Sequence, residues 1–238
     1  MYKDKVVLVT GASRGVGLEI VKHFLAHGAV VIGLSRSAPE LSDTRYHHFP
    51  VELGDSESVI NVFRKEIGKQ FKSIDIVINN AAVLTSQYAM IMPAKNAIDM
   101  VNVNLLGVFF VSREAAKLMR KNAYGRIINI GSMATSLEPA GDSIYAATKA
   151  GVITLANVMA REFSSMNITC NTIGITAIET DMLQSHSPTA KEKIKEIIAG
   201  LPIPRMAVAD DILNAVDFFA SERSSYITAQ VLYLGGIN

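Results

Sequence analysis

The sequence predicts an α/β protein of the Rossmann type, with a doubly wound parallel sheet of about seven strands and helices on both faces. Three observations carry this expectation. Short runs rich in Val and Ile recur from one end of the chain to the other, and helical spacing follows most of them. The runs are continuously apolar instead of alternating in and out, as strands covered on both faces are. No tract reads as a linker, an internal repeat or a low-complexity segment. Strand–helix units repeated in this way wind as right-handed crossovers and cover a parallel sheet on both sides.

The first strand candidate is "KVVLVT" (5–10), and the glycine-rich turn after it opens a helix over residues 17–28. There Leu18, Val21 and Leu25 form a stripe at spacings of three and four. "VVIGLS" (30–35) and "YHHFPVEL" (46–53) read as the second and third strands, and "SVINVFRKEIGKQF" (58–71) as a helix. "IDIVIN" (74–79) is the fourth strand, and a long helix follows over residues 101–122. Its stripe of Leu105, Val108, Phe109, Ser112, Ala116 and Met119 reads as mostly core with some left over. "GRIINIG" (125–131), a helix over 145–166, "NITCNTIGI" (167–175) and "QVLYLG" (230–235) complete the alternation. The charged, proline-marked piece "QSHSPTAKEKIKEIIAGLPIPR" (184–205) is expected to be irregular, an insertion over a site. The chain therefore reads as one dinucleotide-binding and catalytic domain, 1–238. A segment around 181–205 is expected to cover the substrate, and within it Leu183 to Ile198 reads as a mobile flap or a solvated amphipathic helix.

Composition narrows the function classes. Of the 238 residues 49% are hydrophobic, enough for a large core and against disorder. A net charge of +1 removes any global electrostatic case for nucleic acid or an anionic membrane. The single cysteine, Cys170, cannot form an internal disulfide, and its apolar surroundings mark it as packing. No metal site is expected: His23 and His27 share a helix face, His47 and His48 lie on opposite faces of a strand, and no third ligand is evident. The first apolar run is too short for a leader, and "LLGVFFV" is about a third of a membrane span. A soluble, cytoplasmic protein is expected.

"TGASRGVG" (10–17) joins the first strand to the first helix and holds Gly11, Gly15 and Gly17. The spacing is neither G-x-G-x-x-G nor that of a P-loop, but the position suits a pyrophosphate resting on a helix N-terminus. The second strand ends "GLSRS", with no Asp or Glu between Glu19 and Glu40. Arg36 stands where an acidic residue would accept from an unphosphorylated ribose, and Arg14 is in reach from the loop. Unless both are solvated surface arginines, this charge and fork-like donor geometry suit a 2′-phosphate, hence NADP(H).

"SIYAATKAG" places Tyr145 and Lys149 at i and i+4, on one helix face about 6 Å apart. An ammonium there favours the phenolate and lowers a pKa that starts near 10, toward the range for proton transfer. Ser132, just past the fifth strand, lies at the sheet edge where ligands bind in open parallel sheets. It could donate to the carbonyl oxygen that receives the tyrosine proton.

These motifs together, "TGASRGVG", "NNAA", "NVNLLG", "NIGS", "YAATK" and "IETDM", resemble the short-chain dehydrogenase/reductase family across essentially the whole chain. The resemblance implies Tyr145 as proton donor to a carbonyl, Lys149 as partner of the nicotinamide ribose, and Ser132 as orienter of the substrate oxygen. It implies that Asn104 holds a water linking Lys149 to solvent. Gly11, Ser13, Arg14, Val16 and Gly17 would form the pyrophosphate turn, and Arg36 would meet the adenosine phosphate. Glu52 and Leu53 would flank the adenine, Asn80 the adenosine ribose, and Thr180 the carboxamide or phosphates. Ala82, Ile175 and Thr176 depart from the family pattern beside the nicotinamide, and Glu52 replaces its usual Asp.

Similarity is closest to the 3-oxoacyl-[acyl-carrier-protein] reductases, through "GRIINIGS", "ETDM" and "YIT". This implies NADPH-dependent reduction of a 3-oxoacyl thioester in fatty acid biosynthesis, delivered by acyl carrier protein, in a homotetramer or dimer. Ala123 and Met166 stand where basic residues would greet the carrier, with Lys117, Arg120, Lys121 and Arg161 nearby. The motifs leave open an alcohol, polyol or sugar dehydrogenase of the same family, and a cofactor-binding regulator without chemistry.

Overall fold

The computed structural model describes residues 1–176, 178 and 188–236. Seven parallel strands form one sheet in the order β3-β2-β1-β4-β5-β6-β7: Val6–Thr10, Val30–Ser35, Tyr46–Pro50, Ile76–Asn79, Gly125–Ile130, Ile168–Gly174 and Val231–Tyr233. The register sets Val6 opposite Val30 and Val7 opposite Ile76, so β1 is an interior strand paired with β2 on one side and β4 on the other. Strand β3 ends at Pro50, three residues before the expected stretch ends. As an edge strand it tolerates a proline without losing a rung.

The strand residues alternate between two buried layers. Leu8, Ile32, Val77, Ile127 and Cys170 face one layer, and Val7, Val9, Val31, Ile78, Ile128 and Ile173 face the other. This is why the strands read as unbroken apolar runs. Helices α1 (Gly15–Ala26) and α7 (Ala209–Ala220) close the second layer through Ile20, Phe24, Ile212 and Phe219. Helices α2 (Ser56–Val62), α4 (Val108–Met119) and α5 (Ser143–Glu162) close the first through Val59, Val111, Met119 and Met159. Asp55 caps α2, its carboxylate accepting from the amides of Glu57 at 3.0 Å and Ser58 at 3.3 Å. Such a cap is worth about 1 kcal/mol.

Three helical features differ from expectation. Residues 188–199, read as part of an irregular insertion with an amphipathic helix as the alternative, form α6 (Pro188–Ala199). Helix α7, which the strand–helix reading passed over, carries the stripe Ile212, Ala215, Val216 and Phe219. The long central helix begins earlier, at α3 (Ala94–Val101), and passes through a widened π turn at Asn102–Gly107 into α4. The whole run, Ala94–Asn122, has 29 residues and is long and apolar enough to cross a membrane, whereas no such stretch was expected. Its buried face packs on the sheet, and Glu114, 4% exposed within it, pairs with Arg113 and Lys117. One buried side chain ties β4 to β5 and to α4: Asn79 Nδ2 donates to Asn129 Oδ1 at 2.8 Å and to Ser112 Oγ at 2.9 Å.

Cys170 is fully buried in β6, and burial pushes its thiol up to about 12. We expect no reaction with a thiol reagent at pH 8 in the folded protein and one equivalent after denaturation, read by absorbance.

Candidate active site at the carboxyl ends of the strands

A cleft of about 1250 Å³ opens where the chain leaves β1, β2, β4, β5 and β6. It lies at the point where β2 and β4 depart from opposite sides of β1, the place where ligands bind in doubly wound sheets. Its volume exceeds the roughly 300–1,000 Å³ of small-molecule pockets, leaving room for a dinucleotide and a substrate together.

The glycine loop forms one wall. Gly11 and Gly15 have φ of +67° and +55°, a backbone region that costs glycine nothing. Gly17 is needed for a different reason: a Cβ there would overlap the carbonyl oxygen of Gly11 and the amide of Asn80. What comes close to this loop is therefore the protein's own main chain. Asn80 Nδ2 donates to Thr10 O at 3.0 Å and Gly11 O at 3.4 Å, and Thr10 Oγ1 accepts from the amides of Asn80 and Ala81, both at 3.0 Å. Asn80 lines the cleft, but its amide nitrogen is committed to holding the loop.

Ser13, Arg14 and Val16 line the cleft beside these glycines, and Arg36 lines it from the tip of β2. Arg14 and Arg36 are exposed, and no carboxylate pairs with either among the described residues. Ser35, behind Arg36, donates to Ser37 O at 2.9 Å and meets His48 Nε2 at 3.0 Å, which fixes the strand tip. Leu53 is buried and lines the cleft, while Glu52 is exposed, its Oε1 3.5 Å from the amide of Gly54. Ala82, Ile175 and Thr176 line the opposite end. Thr180 lies outside the described residues. The residues present fit a phosphorylated dinucleotide: a helix N-terminus without an acidic residue in its first turn, two unpaired guanidinium groups and a glycine loop.

Ser132, Tyr145 and Lys149 meet at the far end of the cleft. Ser132 follows β5 and accepts the amide of Ala134 at 3.1 Å, so its hydroxyl hydrogen is left for another partner. Lys149 is 4% exposed, and its Nζ donates to Ile130 O at 2.8 Å, 5.9 Å from the Tyr145 ring centroid. Burial pushes this ammonium down to about 8.

One expectation is corrected here. The phenol of Tyr145 is pushed up, not down, by burial first; a hydrogen bond with Ser132 opposes this and the charge of Asp142 adds to it. The i, i+4 spacing brings the two side chains onto one face, but the ammonium turns to a main-chain carbonyl instead of the phenol. Asn104 is fully buried in the π turn. Its Oδ1 accepts from Val83 N at 2.8 Å, and its Nδ2 donates to Val83 O at 2.9 Å and Thr148 Oγ1 at 3.3 Å. That amide clasps the cleft wall to the helix that carries Lys149. Asp142, which sequence reading overlooked, also lines the cleft. Its signal was its place, three residues before Tyr145 at the residue that precedes the same helix.

The other titratable clusters are structural. His23 pairs with Asp217 at 2.9 Å, His27 bonds His23 O at 2.8 Å, and His47 meets Gln70 at 3.0 Å. Among the described residues no group of three His, Cys, Asp or Glu could hold a metal.

Residues 5–191 match the family model for short chain dehydrogenases. The chain is a short-chain dehydrogenase/reductase. It is 36% identical over 241 residues to the 3-oxoacyl-[acyl-carrier-protein] reductase FabG of Escherichia coli (strain K12), covering 99% of this chain and 97% of that protein. The corresponding reductase of Vibrio cholerae is also 36% identical, over 240 residues, covering 98% and 97%. Among solved structures, the ligand-free aldohexose dehydrogenase of Thermoplasma acidophilum has a TM-score of 0.89 at 29% identity, covering 99% of this chain and 94% of that one. Levodione reductase has a TM-score of 0.90 at 26% identity, covering 99% and 98%. As a member of this family the chain is an oxidoreductase with a site for a nicotinamide cofactor.

The buried Lys149 links the site to stability. Its folded value lies below the ordinary 10.5, so stability from this residue is complete above about 10.5 and is lost as pH falls through about 8. At pH 7 the buried ammonium is a net cost. Lys149→Met is expected to raise the stability of the cofactor-free protein at pH 7 by ~1–3 kcal/mol, the gain shrinking toward pH 10. Denaturant melts at both pH values measure it.

Proposed function

We propose that the protein reduces a ketone to a secondary alcohol with NADPH, and that a 3-oxoacyl thioester is the first substrate to try. One observation carries the chemistry: Ser132, Tyr145 and Lys149 share a cleft with the glycine loop and two exposed arginines. NADPH, when bound, supplies the hydride. Arg36 and Arg14 would hold its 2′-phosphate, and the glycine loop with the N-terminus of α1 its pyrophosphate.

Tyr145 passes its phenolic proton to the substrate oxygen as the carbon accepts hydride, so hydride and proton together complete the alcohol. Ser132 donates a hydrogen bond to the same oxygen and stabilises the charge that develops there. Burial raises the Tyr145 phenol, so it carries its proton at neutral pH, the form in which a donor must stand. Lys149, made a stronger acid by burial, which lowers it to about 8, is suited to resupply that proton near neutral pH.

The thioester reading rests on the near full-length identity to two 3-oxoacyl-[acyl-carrier-protein] reductases. For carrier-protein docking, Arg120, Lys121 and Arg161 remain exposed, whereas Lys117 is held by Glu114 at 2.7 Å. A homo-oligomer is proposed through α4 and α5, supported by the exposure of Leu106 and Val158 beside partly buried Phe109 and Leu155. We place the enzyme in the cytoplasm. A second reading, a sugar or polyol dehydrogenase, is favoured by the acidic Asp142 in the cleft and by the likeness to aldohexose dehydrogenase.

Two variants test the roles, with nicotinamide absorbance as the readout. Tyr145→Phe is expected to lower kcat about 10²- to 10⁴-fold while NADPH still binds; undiminished turnover would overturn the donor assignment. Arg36→Glu is expected to raise the KM for NADPH about 10- to 100-fold and leave the KM for NADH nearly unchanged. Equal effects on both cofactors would remove the 2′-phosphate role.

A further inference from the structure

Asp142 sits where an aspartate ordinarily caps its own helix, and it does not. It precedes Ser143, the first residue of α5, with φ −108° and ψ 23°, and its side chain accepts no amide of that helix. Its Oδ1 is instead buried without a hydrogen-bond partner, and the residue lines the cleft. A second buried acceptor without a partner, Gln87 Oε1, belongs to the adjoining loop, whose Gln87 amide donates to Gly141 O at 2.8 Å. Two orphaned acceptor oxygens thus stand on neighbouring pieces of backbone, and the described residues offer neither a donor.

The position is costly for the chemistry as well. A negative group near the substrate oxygen opposes the charge that grows there during hydride transfer. Asp142 is close enough for its charge to push the phenol of Tyr145 further up. An acidic side chain with no structural bond, beside the reacting centre, is accounted for when a ligand supplies the missing donor.

We propose that Asp142 is a specificity-determining residue that accepts a hydrogen bond from an O–H or N–H group the substrate carries near its reacting carbonyl. The inference rests on the carbonyl-reductase reading and deepens it. It favours substrates with a hydroxyl beside the ketone, or a thioester arm with an amide N–H, over plain ketones and substrates bearing a carboxylate. A carboxyl oxygen left without its donor rejects an analogue that lacks one, which is how buried acceptors discriminate.

Two substrate pairs distinguish the sources of the donor. One is the acetoacetyl thioester of N-acetylcysteamine against the same acyl group on a plain alkyl thiol. The other is 1-hydroxybutan-2-one against butan-2-one. Each is reduced with NADPH by the unaltered protein, by Asp142→Ala and by Asp142→Asn, so that intrinsic reactivity cancels within each substrate. In at least one pair Asp142→Ala is expected to lower kcat/KM about 10- to 100-fold more for the donor-bearing member, mainly through KM. Asp142→Asn, which keeps an acceptor oxygen, is expected to recover part of that preference. The pair that responds names the donor.

Fluorescence titration with NADPH establishes that the variants are folded. If both variants bind NADPH and lose activity equally on both members of both pairs, the inference is overturned and the reductase reading stands. If neither the unaltered protein nor the variants bind NADPH or reduce any ketone, the reading falls and the inference with it.

Discussion

The site depends on one close approach of main chain to main chain. Gly17, in the first turn of α1, packs against the carbonyl of Gly11 at the end of β1, with no space for a side chain between them. This contact folds the loop back so that the helix N-terminus faces the cleft. Asn80 fastens the same carbonyls from β4, so the loop is gripped from both sides. Without that approach the arginines would have no phosphate cradle to flank, and the sheet edge would be a surface and not a site.

Most of the fold was legible because burial on both faces leaves a direct mark in the sequence. All seven strands fall inside the apolar runs, since Val and Ile at successive positions feed the two core layers in turn. Helices were less legible where charge hid the pattern. "AKEKIKEIIA" read first as an irregular flap and only second as a solvated helix, and it is helix, because helix formation needs local hydrogen bonds and not an apolar majority. Strand β3 was overextended because "VEL" continues its apolar pattern past the point where the sheet lets the chain go.

The site was legible in membership and less so in electrostatics. Ser132, Tyr145 and Lys149 come together as their motifs imply, because each follows a strand end or shares a helix face. The spacing of a tyrosine and a lysine does not fix where the ammonium points, and here a main-chain carbonyl claims it. Burial then decides both values, raising the phenol and lowering the ammonium, so the two groups stand further apart than in water and the ammonium becomes the stronger acid. Asp142 escaped notice because an aspartate before a helix has an ordinary explanation, a cap, which only coordinates can remove.

The clasp made by Asn104 carries a consequence for what the position can accept. Its carboxamide meets both the N–H and the C=O of Val83, the way a neighbouring strand would, so one side chain impersonates a rung of sheet. Aspartate keeps the acceptor and loses the donor; leucine has the shape and neither pole; glutamine carries the right group one methylene too far. The wall of the cleft is thus zipped shut by a single planar amide, and the genetic code offers only one residue with that reach.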